Sequence, residues 1–160
     1  MAKVKLKLDA PKQLSEITSD KLSREVGKVA IPLIKKLCLS GQSPVEGRGR
    51  FQRYKDTSNY PGRIIALDEY PGKTKSPVNL FLSGKMLDAI EAFRSGKAIR
   101  LGIFNDNEAL DRAIAHNEGK GKMPRRAFLP TKDGEKFAQT IMRAIVDIFD
   151  KRVKELLTRK

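Results

Sequence analysis

The sequence predicts an α+β fold: a small antiparallel β-sheet, a long N-terminal helix, a short middle helix and a long C-terminal helix, with an extended basic arm. Apolar residues recur at helical spacing near each end of the 160-residue chain. Between these segments lies a stretch with the layout of a β-hairpin, preceded by a Gly-, Pro- and Ser-rich segment. A chain of this length is expected to form one domain, residues 1–160.

The first half of the chain predicts a strand, a helix and a long loop. Residues 4–8, VKLKL, alternate apolar and basic side chains, which is typical of a strand with one wet face. A helix is expected to begin at Ser19 or Asp20, both good caps, and to run to Gly41 with a kink at Pro32.

Residues 42–76 are rich in Gly, Pro and Ser, and only RIIAL at 63–67 suggests a strand there. A connection this long inside a compact domain is usually functional or becomes ordered on a partner. We therefore predict that residues 42–76 form a long loop that serves as an assembly arm.

Short elements and turn signals follow the arm. Residues 77–90 start extended and turn at Ser83-Gly84 into a short helix. Residues 90–104 predict a hairpin whose loop is the three residues Ser-Gly-Lys at 95–97. Asn105 lies three residues before an acid and is expected to cap the next short helix.

The last element is predicted to be a long helix that Asp133 caps. Its tail, at about residues 151–160, is a basic C-terminal extension. Its apolar stripe is wide and consists of Phe137, Ile141, Met142, Ile145, Ile148, Phe149, Val153 and Leu156.

The net charge of +14 comes from 33 basic and 19 acidic residues, and a field of this sign attracts polyanions or acidic protein surfaces. Nothing in the sequence has the length and apolar character of a signal peptide or a membrane span, so we expect a protein that folds in the cytoplasm. Cys38 is the single cysteine and is expected to be a buried core or interface residue.

Few residue types suited to catalysis are present. His116 is the only histidine, and no sequence neighbour suggests a triad or a metal site with it. The Gly-Lys-Gly-Lys run at 119–122 lacks the preceding strand and following helix of a phosphate loop, which favours a helix C-cap and turn. We therefore expect a protein that is not an enzyme, with no catalytic residue, cofactor or metal.

The arm contains arginines alternating with aromatic residues, a pattern with two interpretations. Rings can stack on single-stranded bases while guanidinium groups bind phosphates. The same residue types are enriched at protein–protein interfaces. The candidate partner-binding residues of the arm are Arg48, Arg50, Phe51, Arg53 and Tyr54.

Several short motifs, taken in order, resemble the tail-completion or neck proteins of tailed bacteriophages, a family also labelled virion morphogenesis or minor tail proteins. Each motif is short, and the resemblance depends on their order along most of the chain. The motifs are SPVEG at 43–47, LSGKML at 82–87, LGIF at 101–104, HNEG at 116–119 and MPRRAFLP at 123–130.

The resemblance implies a structural virion protein at the head–tail junction, assembled in the host cytoplasm. Such a subunit would form a ring, six-fold or twelve-fold, and join the head connector or adaptor to the tail tube or terminator protein. Arg125 and Arg126 would then face an adjoining subunit, whereas Ser83, Gly84, Phe128 and Leu129 would be structural anchors. Non-specific contact with packaged DNA would be a further use of the positive charge. The alternative is a small basic nucleic-acid-binding protein that acts through phosphate contacts.

Overall fold

The computed structural model describes residues 19–53, 72–74, 77–81, 83–120 and 123–158. The predicted strand at 4–8 and the candidate strand at 63–67 lie outside these residues. The predicted α+β class is confirmed: the structure combines helices with a two-stranded antiparallel sheet. In chain order the elements are α1 (Asp20–Leu39), α2 (Lys85–Asp88), β1 (Glu91–Ser95), β2 (Ala98–Gly102), α3 (Asn107–Glu118) and α4 (Gln139–Leu157).

Helix α1 forms as predicted because its caps and its apolar spacing agree. The hydroxyl of Ser19 accepts a hydrogen bond from the Leu22 N–H at 3.1 Å, which satisfies one of the free donors of the first turn. The helix continues across Pro32 to Leu39. One side of the helix enters the core through side chains spaced four residues apart: Leu22, Val26, Ala30, Ile34 and Cys38.

The hairpin forms where it was predicted, but its loop has two residues and not three. Ser95 pairs with Ala98, so only Gly96 and Lys97 lie between the strands. Strand β1 packs on α1 at Gly27, where an added Cβ would lie 3.0 Å from the Ala92 Cβ. The small residue at position 27 allows the helix and the sheet to approach closely.

Helix α3 is capped one residue later than predicted. The carboxylate of Asp106 accepts the Ala109 N–H at 2.9 Å, whereas the Asn105 side chain donates to Glu91 at 2.6 Å. The predicted C-cap is confirmed: Gly119 ends the helix with φ 74°, a left-handed conformation that glycine adopts without strain.

Helix α4 begins at Gln139, which corrects the prediction that Asp133 caps it. The residues just before the helix are bonded instead to a distant segment of the backbone. Phe137 pairs with Val45 in a β-bridge, and the Ala138 N–H donates to the Pro44 carbonyl at 2.7 Å. Because these backbone groups bond to a distant segment, the helix cannot start before them. It continues to Leu157, so the predicted basic extension is helical from residue 151 to that residue.

The first part of the predicted arm, residues 42–53, lies against the domain. Gln42 pairs with Arg50 in an antiparallel bridge, and the Ser43 N–H donates to the Gly49 carbonyl at 2.8 Å. Residues 54–71 and 75–76 of the arm are outside the described residues. The described part of the arm is therefore a turn that packs on the domain, and α1, the hairpin, α3 and α4 share one hydrophobic core with it.

Candidate functional site

Residues 123–131, here called the clasp loop, are bonded to α3 through the buried side chain of Asn117. The Asn117 side chain is 1% exposed. Its Nδ2 donates to the Leu129 carbonyl at 2.9 Å, and its Oδ1 accepts the N–H groups of Phe128 at 2.8 Å and Leu129 at 3.3 Å. An asparagine amide can bond to a backbone N–H and C=O together in this way, as another strand would. Phe128 and Leu129 are buried, as predicted for structural anchors.

The clasp loop is also bonded to the segment that follows α1. The hydroxyl of Ser43 donates to the Ala127 carbonyl at 2.6 Å and accepts the Val45 N–H at 3.1 Å. The Arg126 N–H donates to the His116 carbonyl at 2.7 Å. Residues around 43, 117 and 127 therefore form one hydrogen-bonded cluster, although they are far apart in the sequence.

Arg126 does not face outward, which corrects its predicted role at a subunit interface. Its side chain is 1% exposed, and its Nε donates to the Gln52 carbonyl at 3.1 Å. Arg126 thus joins the clasp loop to the described part of the arm within one subunit.

Arg125 and Arg48 share one carboxylate. Oε1 of Glu135 accepts from the Arg125 guanidinium at 2.6 Å and from the Arg48 guanidinium at 2.7 Å. Oε2 accepts the N–H groups of Thr131 and Lys132, each at 3.2 Å. Burial alone would raise the pKa of Glu135, but the bonds from Arg125, Arg48 and these two N–H groups lower it to about 2. The carboxylate is therefore ionised at neutral pH, and both of its oxygens are occupied.

The predicted partner-binding residues of the arm separate into buried and exposed ones. Phe51 is 7% exposed and belongs to the core. This corrects the expectation that its aromatic side chain lies at a partner interface. Arg48, Arg50 and Arg53 are exposed. Tyr54 lies outside the described residues. Three of the five candidates therefore present cationic side chains to solvent.

These arginines form part of a cationic surface that the clasp loop and the following turn complete. We call it the basic ribbon surface: residues 46–53 and 131–136, together with Arg125. Glu46 N–H donates to the Lys136 carbonyl at 2.9 Å, which joins the two segments. The surface has a net charge of +3, from six cationic side chains and three acidic ones: Arg48, Arg50, Arg53, Arg125, Lys132 and Lys136 against Glu46, Asp133 and Glu135.

The Ser83-Gly84 turn acts at the start of α2. Gly84 has φ 84° and precedes the first residue of the helix, which buries Met86 and Leu87. Ser83 is exposed. Gly84 therefore meets a conformational requirement of this turn, since glycine adopts a positive φ without strain.

His116 and Cys38 have side chains of the types that can act in catalysis, and both are largely buried. Burial, followed by the positive charges of Arg126 and Lys73, lowers the pKa of His116 from 6.5 to about 4. Burial raises the pKa of the Cys38 thiol, which keeps it protonated. In the described ranges no group of three or more His, Cys, Asp or Glu residues is placed to hold a metal ion.

Two residues central to this region were not identified from the sequence. Asn117 is one of several polar residues near a helix end, and Glu135 follows a Gly-containing turn; neither position carries a local signal for its long-range partners. From the sequence alone, only the chemistry of the two side chains is known: an amide for Asn117 and a carboxylate for Glu135.

No protein-family model, no curated protein and no solved structure matches the chain. Among the helices that the structure describes, none combines the length and the apolar character needed to cross a membrane.

Proposed function

We propose that this chain is a structural virion protein of a tailed bacteriophage, a tail-completion or neck subunit that forms a ring and joins the tail to the head connector. The proposal is based on the order of the sequence motifs. The observation that supports it most is that three of those motifs, at 43–47, 116–119 and 123–130, meet in one buried cluster.

The contacts in this cluster are specific to the motif residues. Ser43 of the first motif bonds to the Ala127 carbonyl of the third at 2.6 Å. Asn117 of the second bonds to the backbone of Phe128 and Leu129. Ser43 and Ala127 are 84 residues apart in the sequence, so their bond brings the first and third motifs together through the fold.

The proposal is tested by removing the gene from the phage that encodes it. We expect electron micrographs of the lysate to show DNA-filled heads and separate tails, with few joined particles. The wild-type gene supplied in trans should restore joining, whereas the empty vector should not. Normal yields of infectious particles without the protein would reject the proposal.

The exposed Arg48, Arg50 and Arg53 favour a second candidate, a small basic nucleic-acid-binding protein. This candidate predicts binding to DNA or RNA that weakens steeply with salt, because each neutralised phosphate releases counterions. Fluorescence anisotropy with duplex and single-stranded oligonucleotides measures this directly. Absence of binding at roughly 0.1 M salt would remove this candidate.

A further inference from the structure

The basic ribbon surface presents cationic groups outward although it contains a carboxylate at its centre. Both oxygens of Glu135 are occupied, by Arg48 and Arg125 on one side and by two backbone N–H groups on the other. This carboxylate has no free acceptor for a partner's cation. Within the described residues, the exposed Arg50, Lys132 and Lys136 form no ion pair. The surface is therefore suited to an acidic partner.

The same chain has an acidic surface of opposite net charge on α3. Segment 106–118 contains four acids and one arginine, a net charge of −3. Glu108, Asp111 and Glu118 lie at spacings of three and seven residues, which places them on one side of the helix over about 15 Å. All three are exposed. The buried side of α3 carries Ala109, Ala113 and Asn117.

We propose that the basic ribbon surface of one subunit binds the acidic outer side of α3 of a second copy. The inference rests on the ring in the proposed function and names the two surfaces that would form its contact. The two surfaces differ, so the contact is heterologous. Each copy binds one neighbour through its ribbon and the other neighbour through its α3. Contacts of this kind close a ring when the rotation between neighbouring subunits permits.

Charge complementarity within the chain favours a second copy as the occupant of this surface. Copies with a net charge of +14 repel one another, and a contact that pairs +3 with −3 is where they can meet without like-charge juxtaposition.

The test uses charge reversal at positions that form no ion pair with another described residue, so that the fold is retained. The ribbon variant is Arg50→Glu with Lys136→Glu, and the helix variant is Asp111→Lys with Glu118→Lys. Sedimentation velocity at low and at high salt measures association. We expect wild type to associate at low salt and to dissociate as salt screens the contact. Each variant alone should associate at least about tenfold more weakly.

The decisive measurement is the equimolar mixture of the two variants. Each reversed ribbon now matches a reversed α3, and each native ribbon matches a native α3, so alternating copies restore every contact. The chain that carries all four substitutions should also associate with itself. A general effect of net charge cannot produce either recovery.

Matched controls carry the same charge change elsewhere. Lys28→Glu with Arg143→Glu, on α1 and α4, matches the ribbon variant, and Asp147→Lys with Asp150→Lys, on α4, matches the helix variant. All of these side chains are exposed. The controls should associate as wild type does, and circular dichroism should show that all variants are folded.

Four outcomes overturn the inference. In the first, the two variants do not associate when they are mixed. In the second, the controls weaken association as much as the variants do. In the third, the ribbon variant keeps its association and loses duplex DNA binding instead, and in the fourth, wild type stays monomeric at all concentrations. The proposed function is judged separately, by whether heads and tails join in the deletion phage, so a failed interface and a failed function give different results.

Discussion

Oε1 of Glu135 accepts one hydrogen bond from Arg125 at 2.6 Å and another from Arg48 at 2.7 Å, so a single carboxylate fixes the clasp loop to the described part of the arm. The Glu135 and Arg125 side chains are 10% and 21% exposed. Removing a partner from such a site is costly because the remaining charge loses its compensation while it stays partly desolvated.

Glu135→Gln is therefore expected to destabilise the fold by roughly 1–3 kcal/mol at neutral pH. Glutamine keeps the size of the side chain and removes its charge. Urea denaturation of both proteins gives the free energies of unfolding. The matched control is Glu108→Gln, because Glu108 also pairs with an arginine, Arg112, but is 67% exposed. That change should cost less than about 0.5 kcal/mol.

The pH dependence provides a second check of the same prediction. The pKa of Glu135 falls from 4.5 to about 2 on folding. Its contribution is therefore present above about pH 4.5 and is lost as the pH falls towards 2, where the folded state is protonated too. The difference between wild type and Glu135→Gln should shrink over this window. A difference that is constant with pH would show that the charge is not its source.

The titration of His116 should lower the free energy of unfolding at a higher pH than the titration of Glu135 does. Its folded pKa of about 4 lies below the ordinary 6.5. Between these values the unfolded chain binds more protons than the folded one, so stability falls as the pH is lowered from 6.5 to 4. We expect this loss to be smaller in His116→Gln, which cannot titrate. Thermal unfolding followed at several pH values across the window measures it, and equal slopes in both proteins would contradict the assignment.

Asn117→Ala is expected to destabilise the fold by roughly 2–4 kcal/mol, because it leaves buried backbone groups of Phe128 and Leu129 without partners. The measurement is equilibrium unfolding in urea, with hydrogen exchange of the Phe128 N–H as a local readout. Asn105→Ala is the matched control, since the Asn105 amide bonds to Glu91 at an exposed site. It should change stability by less than about 0.5 kcal/mol. Similar small changes for both variants would show that the clasp loop is held by apolar packing alone.

The parts of the fold that the sequence predicted correctly depend on local signals. The Ser19 cap defines the start of α1, and the position of Gly119 defines the end of α3. The capping error at α3 is also local: Asn105 and Asp106 are both competent caps, and only the bond between Asn105 and Glu91 distinguishes them.

The errors at the candidate site come from long-range pairings. Asp133 has the chemistry of a cap, but residues 136–138 pair with 44–46 and the helix begins after them. Arg126 has the chemistry of an interface residue, but the Gln52 carbonyl provides a partner inside the fold. Such contacts join segments that periodicity and capping rules treat separately. The sequence therefore predicted the chemical types of the candidate partner-binding residues, but it did not predict which of their side chains are exposed.

At Gly119 the backbone needs a positive φ and there is no space for a side chain. At Gly134 the backbone also needs a positive φ, but there is space for a side chain, so the two effects can be compared. Both have positive φ, 74° and 81°. An added Cβ at Gly119 would lie 2.8 Å from the Arg125 nitrogen and 3.0 Å from the Met123 carbonyl oxygen, whereas at Gly134 nothing lies within 4 Å. Gly134→Ala should cost about 1–2 kcal/mol, the strain of a left-handed residue.

Gly119→Ala should cost more than Gly134→Ala by at least about 1 kcal/mol, because backbone atoms of the clasp loop must move to make room. Both values come from urea denaturation, and the difference between them removes the shared conformational strain. Since Arg125 leads directly into the bonds with Asn117 and Glu135, the displaced loop should also exchange its amide hydrogens faster in Gly119→Ala. Equal costs for the two variants would mean that the loop shifts freely and that α3 does not fix its position.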